Sequence, residues 1–420
     1  MNDGNMKKKR KDSFQNAIFI SFIFSGFGSI LNYSFQIMLG NMLTVEDFGV
    51  FNSINSLAAN LVIVYTPLSI MICQITASNR DNLEKNQGIY KQVLTITLGI
   101  VLITILGGGL LFNIIKGRFG IDNLFQWIVI LLMIGISGIY TIIMSIIQGL
   151  ERFILYGVIG DFLILIKLLL SLRNIKNGMD VHGIIWAMLL SYLCMIIVAA
   201  LTLNKQWKKN KEAAYEYLGA SEIFELYGVT FLVQILVSFY INGGEIILMD
   251  YLFNNREIGL YSSAATLGKV SLYIISIISV VLFPRVANRR TQGLETKTIF
   301  YKTIFFSILM ALMYSAFLLV SGKRIIPIMF GEEYIFALDY INAIVIFTIP
   351  LSTLSVIHNY FLGIGKVKEY AKVLGIITVL AITIIILFVE NIKLVPVILG
   401  SALYVVLIWS LMYVKKGYSV

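Results

Sequence analysis

The sequence predicts an all-α, polytopic membrane protein: about twelve transmembrane helices in two six-helix halves related as a parallel repeat. Three observations predict it: the composition, the spacing of the apolar runs, and self-similarity at half the chain length. Of 420 residues, 58% are hydrophobic and 13% charged, and the mean hydropathy is +0.86. A soluble domain averages about 45–50% apolar and about 25% charged. A water-soluble chain has no means of hiding that excess, which disfavours a soluble enzyme, a secreted module, a disordered regulator and a nucleic-acid binder. The net charge of +10 is then read as basic residues gathered on the cytoplasmic side facing anionic lipid, so membrane lipids and not nucleic acid are the expected partners.

A span needs about 20 apolar residues. Twelve stretches qualify: 14–39, 48–76, 92–115, 125–150, 154–173, 181–204, 225–249, 258–284, 299–320, 336–361, 371–389 and 394–414. The first follows a basic run, Lys7 to Lys11. That start resembles a signal peptide, but the apolar stretch is too long and no small-residue cleavage site follows, so it reads as a retained helix. The resulting organisation is a basic tail (1–13), a first bundle (14–204), a linker (205–224), a second bundle (225–414) and a short tail (415–420).

With the N-terminus inside, the inner segments hold 23 of the 33 lysines and arginines and the outer segments hold 8. Lys167 and Lys269 fall within spans. This bias fits both termini on the cytoplasmic side of the membrane. No segment between spans exceeds about 20 residues, which leaves no room for a soluble catalytic domain. Cys73 and Cys194 both lie in apolar runs, against a disulfide framework. His182 and His358 have no neighbours at metal-ligand spacing, so no metal site is expected.

The repeat is visible at three places. Glu46-Asp47-Phe48-Gly49-Val50-Phe51-Asn52-Ser53 matches Arg256-Glu257-Ile258-Gly259-Leu260-Tyr261-Ser262-Ser263 at an offset of 210. Asn79-Arg80 matches Asn288-Arg289 at 209, and Gly149-Leu150-Glu151-Arg152 resembles Gly363-Ile364-Gly365-Lys366 at 214. Six spans per half give both halves one orientation, a transporter architecture with its substrate path at the repeat interface.

Four segments in order carry a family resemblance: LTVEDFGVFNSINSL at 43–57, QGLERF at 148–153, GLYSSAATLGKVSLYIISIISVVLFPRVANRRTQG at 259–293, and IIPIMFGEEYIFAL at 325–338. Together they resemble the polysaccharide biosynthesis (oligosaccharide flippase) proteins of the multidrug/oligosaccharidyl-lipid/polysaccharide (MOP) exporter superfamily. The resemblance implies two six-helix bundles around a central cavity. It implies movement of a polyprenyl-diphosphate-linked oligosaccharide from the inner to the outer leaflet by alternating access. It also implies glycosyltransferases and a polysaccharide polymerase as neighbours. This chain departs from relatives that carry fourteen spans, and has Glu245 where many carry an Asp in the seventh span.

Charges inside a span tend to face a cavity or a partner. The deep candidates are Asp161, Lys167, Glu245 and Lys269. Lys269 and Glu245 are placed to approach across a helix pair, either as a switchable pair at a cavity wall or as a static one. Asp161 and Lys167, six residues apart, lie about 120° apart around a helix and are not expected to pair. Asn52, Asn55, Ser56 and Asn60 recur at helical spacing, as do Ser29, Asn32, Tyr33 and Gln36. These stripes are read either as a sugar-facing cavity wall or as interhelical hydrogen bonding. Arg80, Arg152, Arg285, Arg289 and Arg290 form a basic inner mouth suited to drawing in a diphosphate, or mark plain positive-inside topology. His358 is read either as a proton-linked group or as a packed histidine. Pro67 and Pro284 are expected to bend their helices. No cofactor is expected, and coupling to sodium or to protons is left open.

Two rival functions were weighed. A multidrug or cation exporter of the same superfamily would prefer an anionic, aromatic cavity, whereas the deep charges here are mixed. A membrane-embedded glycan polymerase or ligase would need a substantial outer loop with clustered Arg, His or carboxylates, which the sequence lacks.

Overall fold

A computed structural model describes residues 23–24, 26–78, 87–204, 220–272, 275, 282, 285–286, 289–290 and 292–417. Within these, all the regular structure is helical. Helix α1 covers 26–42. There follow α2 (Val45–Leu61), α3 (Thr66–Ser78), α4 (Gln87–Leu110), α5 (Leu124–Gly149), α6 (Phe153–Lys176) and α7 (Val181–Asn204). The second half contains α8 (Ala220–Ile241), α9 (Gly244–Leu252), α10 (Asn255–Gly268), α11 (Lys297–Phe330), α12 (Ile341–Gly363), α13 (Val367–Phe388) and α14 (Leu394–Lys415). Among the described residues, nine helical segments are long and apolar enough to cross a membrane, or ten if the bent pair α8–α9 is one span.

Several spans differ from their sequence outlines, each for a local reason. The second runs continuously over 45–78, with a 3-10 turn at Val62–Tyr65 between α2 and α3. Pro67 follows directly; it lacks an N–H to donate and its ring crowds the carbonyl four residues back, which tightens the turn before it. The seventh span, expected as one helix over 225–249, is broken: its two parts, 231–241 and 244–252, meet at 64°. The sequence Asn242-Gly243-Gly244 causes this, since Gly243 adopts a left-handed φ of +80° that ends one helix and opens the next. In the eighth span regular helix ends at Gly268, with Lys269 as its C-cap. The ninth extends to Phe330 and stops at Gly331, whose φ is +100°. The Gly-Glu-Glu-Tyr segment then forms a 3-10 stretch, Glu332–Tyr340, leading into α12. The first span before residue 23 and Pro284 lie outside the described residues.

The chain divides into two compact units: one within 1–36, 64–117 and 121–223, the other within 37–63, 118–120 and 224–420. In the first, α3 packs along α5 through small residues. A Cβ on Gly138 would meet the Tyr65 ring, Ser69 shares a hydrogen bond with Ser145 at 2.6 Å, and Gly149 sits under the Cys73 carbonyl and Thr76. Such stripes let helix backbones approach where apolar burial gives no preference for helix over lipid. In the same way α6 runs beside α1, with Gly157 against Phe24 and Gly28 against Asp161.

The second unit contains α2 as well as the helices after residue 224. The reason is a backbone contact. A Cβ on Gly49 would strike the Asn255 carbonyl oxygen, and a Cβ on Gly259 would strike that of Val45. Val45 and Gly49 stand at the repeat positions of Asn255 and Gly259, so each helix offers the other the same surface, as partners around a two-fold axis do.

The caps repeat too. Thr44 accepts from the Asp47 N–H at 3.1 Å and donates to the Asp47 carboxylate at 2.8 Å. Asn254 accepts from the Glu257 N–H at 2.9 Å and donates to the Glu257 carboxylate at 2.8 Å. At offset 214, the N–H groups of Leu150, Glu151 and Arg152 donate to the carbonyls of Ile146, Gln148 and Ile147, and those of Ile364, Gly365 and Lys366 to Tyr360, Leu362 and Phe361. Glu151 (φ +55°) and Gly365 (φ +65°) share the left-handed conformation of that turn.

Candidate functional site

The deep charges are placed by the helix breaks. Glu245 lies in the first turn of α9, where the helix dipole favours a carboxylate. It is fully buried, and its Oε1 accepts from Lys269 Nζ at 2.6 Å. The Lys269 side chain is 15% exposed, and its ammonium stands 5.9 Å from the centre of the Phe347 ring. The other carboxylate oxygen of Glu245 and the hydroxyl of Tyr261 are both buried without a hydrogen-bond partner.

Asn60 holds the break beside this pair. Its amide donates to the Ser56 carbonyl at 2.9 Å and to the Asn242 carbonyl at 3.1 Å. Asn242 donates to Ser238 Oγ at 2.8 Å, and Ser238 Oγ lies 3.4 Å from Asn60 Oδ1. Here the polar stripe of the second span serves interhelical bonding. Asn52 is buried, its amide spent on the Phe48 carbonyl at 2.8 Å within its own helix. Asn55 is half-buried.

In the first unit the arrangement is different. Lys167 Nζ reaches across to α1, donates to Asn32 Oδ1 at 3.1 Å and stands 4.2 Å from the centre of the Phe35 ring. Gln36, one turn beyond Asn32, has a buried Oε1 with no partner. Asp161 is buried against Gly28, and its Oδ2 has none either. Asp161 and Lys167 lie about 120° apart around α6. Both touch α1, because a neighbouring helix seated between two directions 120° apart is reached from each. They do not pair: among the described residues no ion pair joins them.

Arg80 lies outside the described residues. Arg152 is half-buried at the N-cap of α6, and Arg285 is exposed. Arg289 donates from Nε to the Glu295 carbonyl at 3.1 Å, and Arg290 lies over Gly365. His358 is half-buried against the Tyr370 ring, with centroids 6.1 Å apart.

One polar cluster escaped sequence reading. Asp250 is buried, and its Oδ2 accepts from the Phe119 N–H at 3.2 Å. Arg118 donates to the Tyr251 carbonyl at 2.7 Å and lies 4.3 Å from that ring's centre. The turn at 118–120 is thereby strapped to α9, with Phe119 held at φ +52°. No repeat match or periodicity signals this strap; the Gly117-Arg118-Phe119-Gly120 turn is its only mark in the sequence.

The fold has counterparts among solved structures. The chain aligns with the inward-facing structure of a multidrug resistance MATE family transporter of the MOP superfamily at TM-score 0.70 and 15% identity, covering 96% of this chain and 99% of that one. It aligns with an outward-facing structure of such a transporter at 0.63 and 14%, covering 95% and 96%. A variant of the Vibrio cholerae MATE transporter VcmN gives 0.65 and 14%, covering 97% and 98%. Residues 38–339 match the polysaccharide biosynthesis protein family, and the chain belongs to it. No curated protein matches the sequence significantly.

Proposed function

We propose that this protein is a flippase that carries a polyprenyl-diphosphate-linked oligosaccharide across the cytoplasmic membrane for cell-surface polysaccharide biosynthesis. The family match over 38–339 is the observation that carries the reading. The chemistry of the deep side chains agrees with it. A diphosphate needs a cation, which lysine supplies as a point charge, and a glycan's hydroxyls need hydrogen-bonding partners, which the carboxamides of Asn32 and Gln36 supply in the first unit. In this reading two six-helix bundles alternate access to a central path, both termini face the cytoplasm, and the product feeds a polymerase.

The fold likeness to MATE transporters favours a second reading, export of a lipophilic cation. The two are separated in liposomes containing the purified protein. A fluorescent polyprenyl-diphosphate oligosaccharide should become exposed to a membrane-impermeant quencher faster than in protein-free liposomes. Efflux of a cationic dye with no such acceleration would instead establish the second reading.

A further inference from the structure

We infer that Lys167, with Asn32 and Phe35 across from it, forms a subsite for the phosphate of the transported lipid, and that Lys269 takes no part in it. The inference rests on the flippase reading. The two lysines deep in spans differ in one respect. The ammonium of Lys269 is matched by a carboxylate at 2.6 Å. Among the described residues no carboxylate lies within 4.0 Å of the Lys167 ammonium; its partners are a neutral amide oxygen at 3.1 Å and a ring face at 4.2 Å. Those partners position a cation and leave its charge uncancelled, and two of its three N–H groups remain for an incoming acceptor. An intramembrane charge without a protein counter-charge marks a substrate or ion path.

Snorkelling does not account for it. Lys167 is nine residues from the end of α6 at Lys176, ~14 Å along the axis, beyond the reach of its own stem. The side chain leans across to α1 instead of along its helix. The register of α1 on α6 holds it there, because Gly28 and Gly157 bring the backbones together one and two turns earlier. Gln36 adds a buried carbonyl oxygen without a donor, the complement of a hydroxyl on the sugar next to the phosphate. Asp161 is the one carboxylate nearby on α6; six residues away, it stands ~9 Å along the axis, at Gly28.

The test is binding of farnesyl diphosphate to the purified full-length protein in neutral detergent, with farnesol and phosphatidylglycerol alongside. Wild type should bind the diphosphate. Lys167→Gln should weaken it about tenfold or more, as expected for one charge-assisted contact, while Lys167→Arg should stay within about threefold and farnesol should bind all three alike. A readout without substitution is protection: the diphosphate should shield Lys167 from an amine-acylating reagent, mapped by mass spectrometry, and leave Lys269 labelling unchanged. Equal affinity in Lys167→Gln, or no protection, would overturn the subsite while leaving the flippase reading intact. Displacement by phosphatidylglycerol at equal concentration would assign the site to a bilayer headgroup and overturn it. Wild type that binds no diphosphate at all would overturn both the subsite and the flippase reading.

Discussion

Glu245 is fully buried and has one charged partner, 2.6 Å away. Removing that partner strands a carboxylate in a medium that solvates it poorly, which costs about 3–5 kcal/mol for a buried pair. Lys269→Gln is therefore expected to lower the unfolding midpoint of the detergent-solubilised protein far more than the double variant Glu245→Gln/Lys269→Gln, which removes both charges. Additive losses in the two single variants would show that the pair does not interact. Asn60→Ala should cost less, about 0.6 kcal/mol per interhelical bond lost, and proteolysis near 242 should rise with it. The charged residues of this site were legible in the sequence because charge in an apolar run is rare. Their partners were not. Helical spacing put Asn52 and Asn60 on one stripe, but only the packing shows that Asn52 bonds its own helix and Asn60 bonds the break. Tyr261 gave no signal, being one of 22 tyrosines in an aromatic-rich chain.

At the level of elements, the contact of α2 with α10 depends on two hydrogen atoms. Gly49 and Gly259 each lie against the other helix's backbone, so a methyl on either must push the helices apart. Overpacking of this kind costs about 1–3 kcal/mol. Gly49→Ala and Gly259→Ala should lower the unfolding midpoint by similar amounts, and the double variant by less than their sum, because one separation relieves both clashes. A fully additive double variant would contradict the reciprocal contact. Gly365→Ala should cost about 1–2 kcal/mol in the same measurement, since its φ of +65° disfavours any Cβ. Most helices were legible from length and hydropathy, and the repeat from three short matches. The break in the seventh span lies inside a long, mostly apolar run that hydropathy alone reads as one helix, although Asn-Gly-Gly is a turn signal. The long α11 runs past its expected end, through Pro327, and stops only at Gly331.

For the whole molecule, class and family followed from composition and from ordered segments spread over the chain. What no sequence pattern disclosed was which deep charges are neutralised within the protein and which are left for a ligand; that depends on distances between helices. The account predicts a functional split between the two lysines. The most direct measurement follows quencher exposure of a fluorescent polyprenyl-diphosphate oligosaccharide in liposomes, comparing wild type, Lys167→Gln and Glu245→Gln/Lys269→Gln at matched protein content. The predicted result is acceleration by wild type, with Lys167→Gln slower than the double variant by about tenfold. Transport undiminished in Lys167→Gln but abolished in the double variant would contradict the account and move the anion site to the second unit.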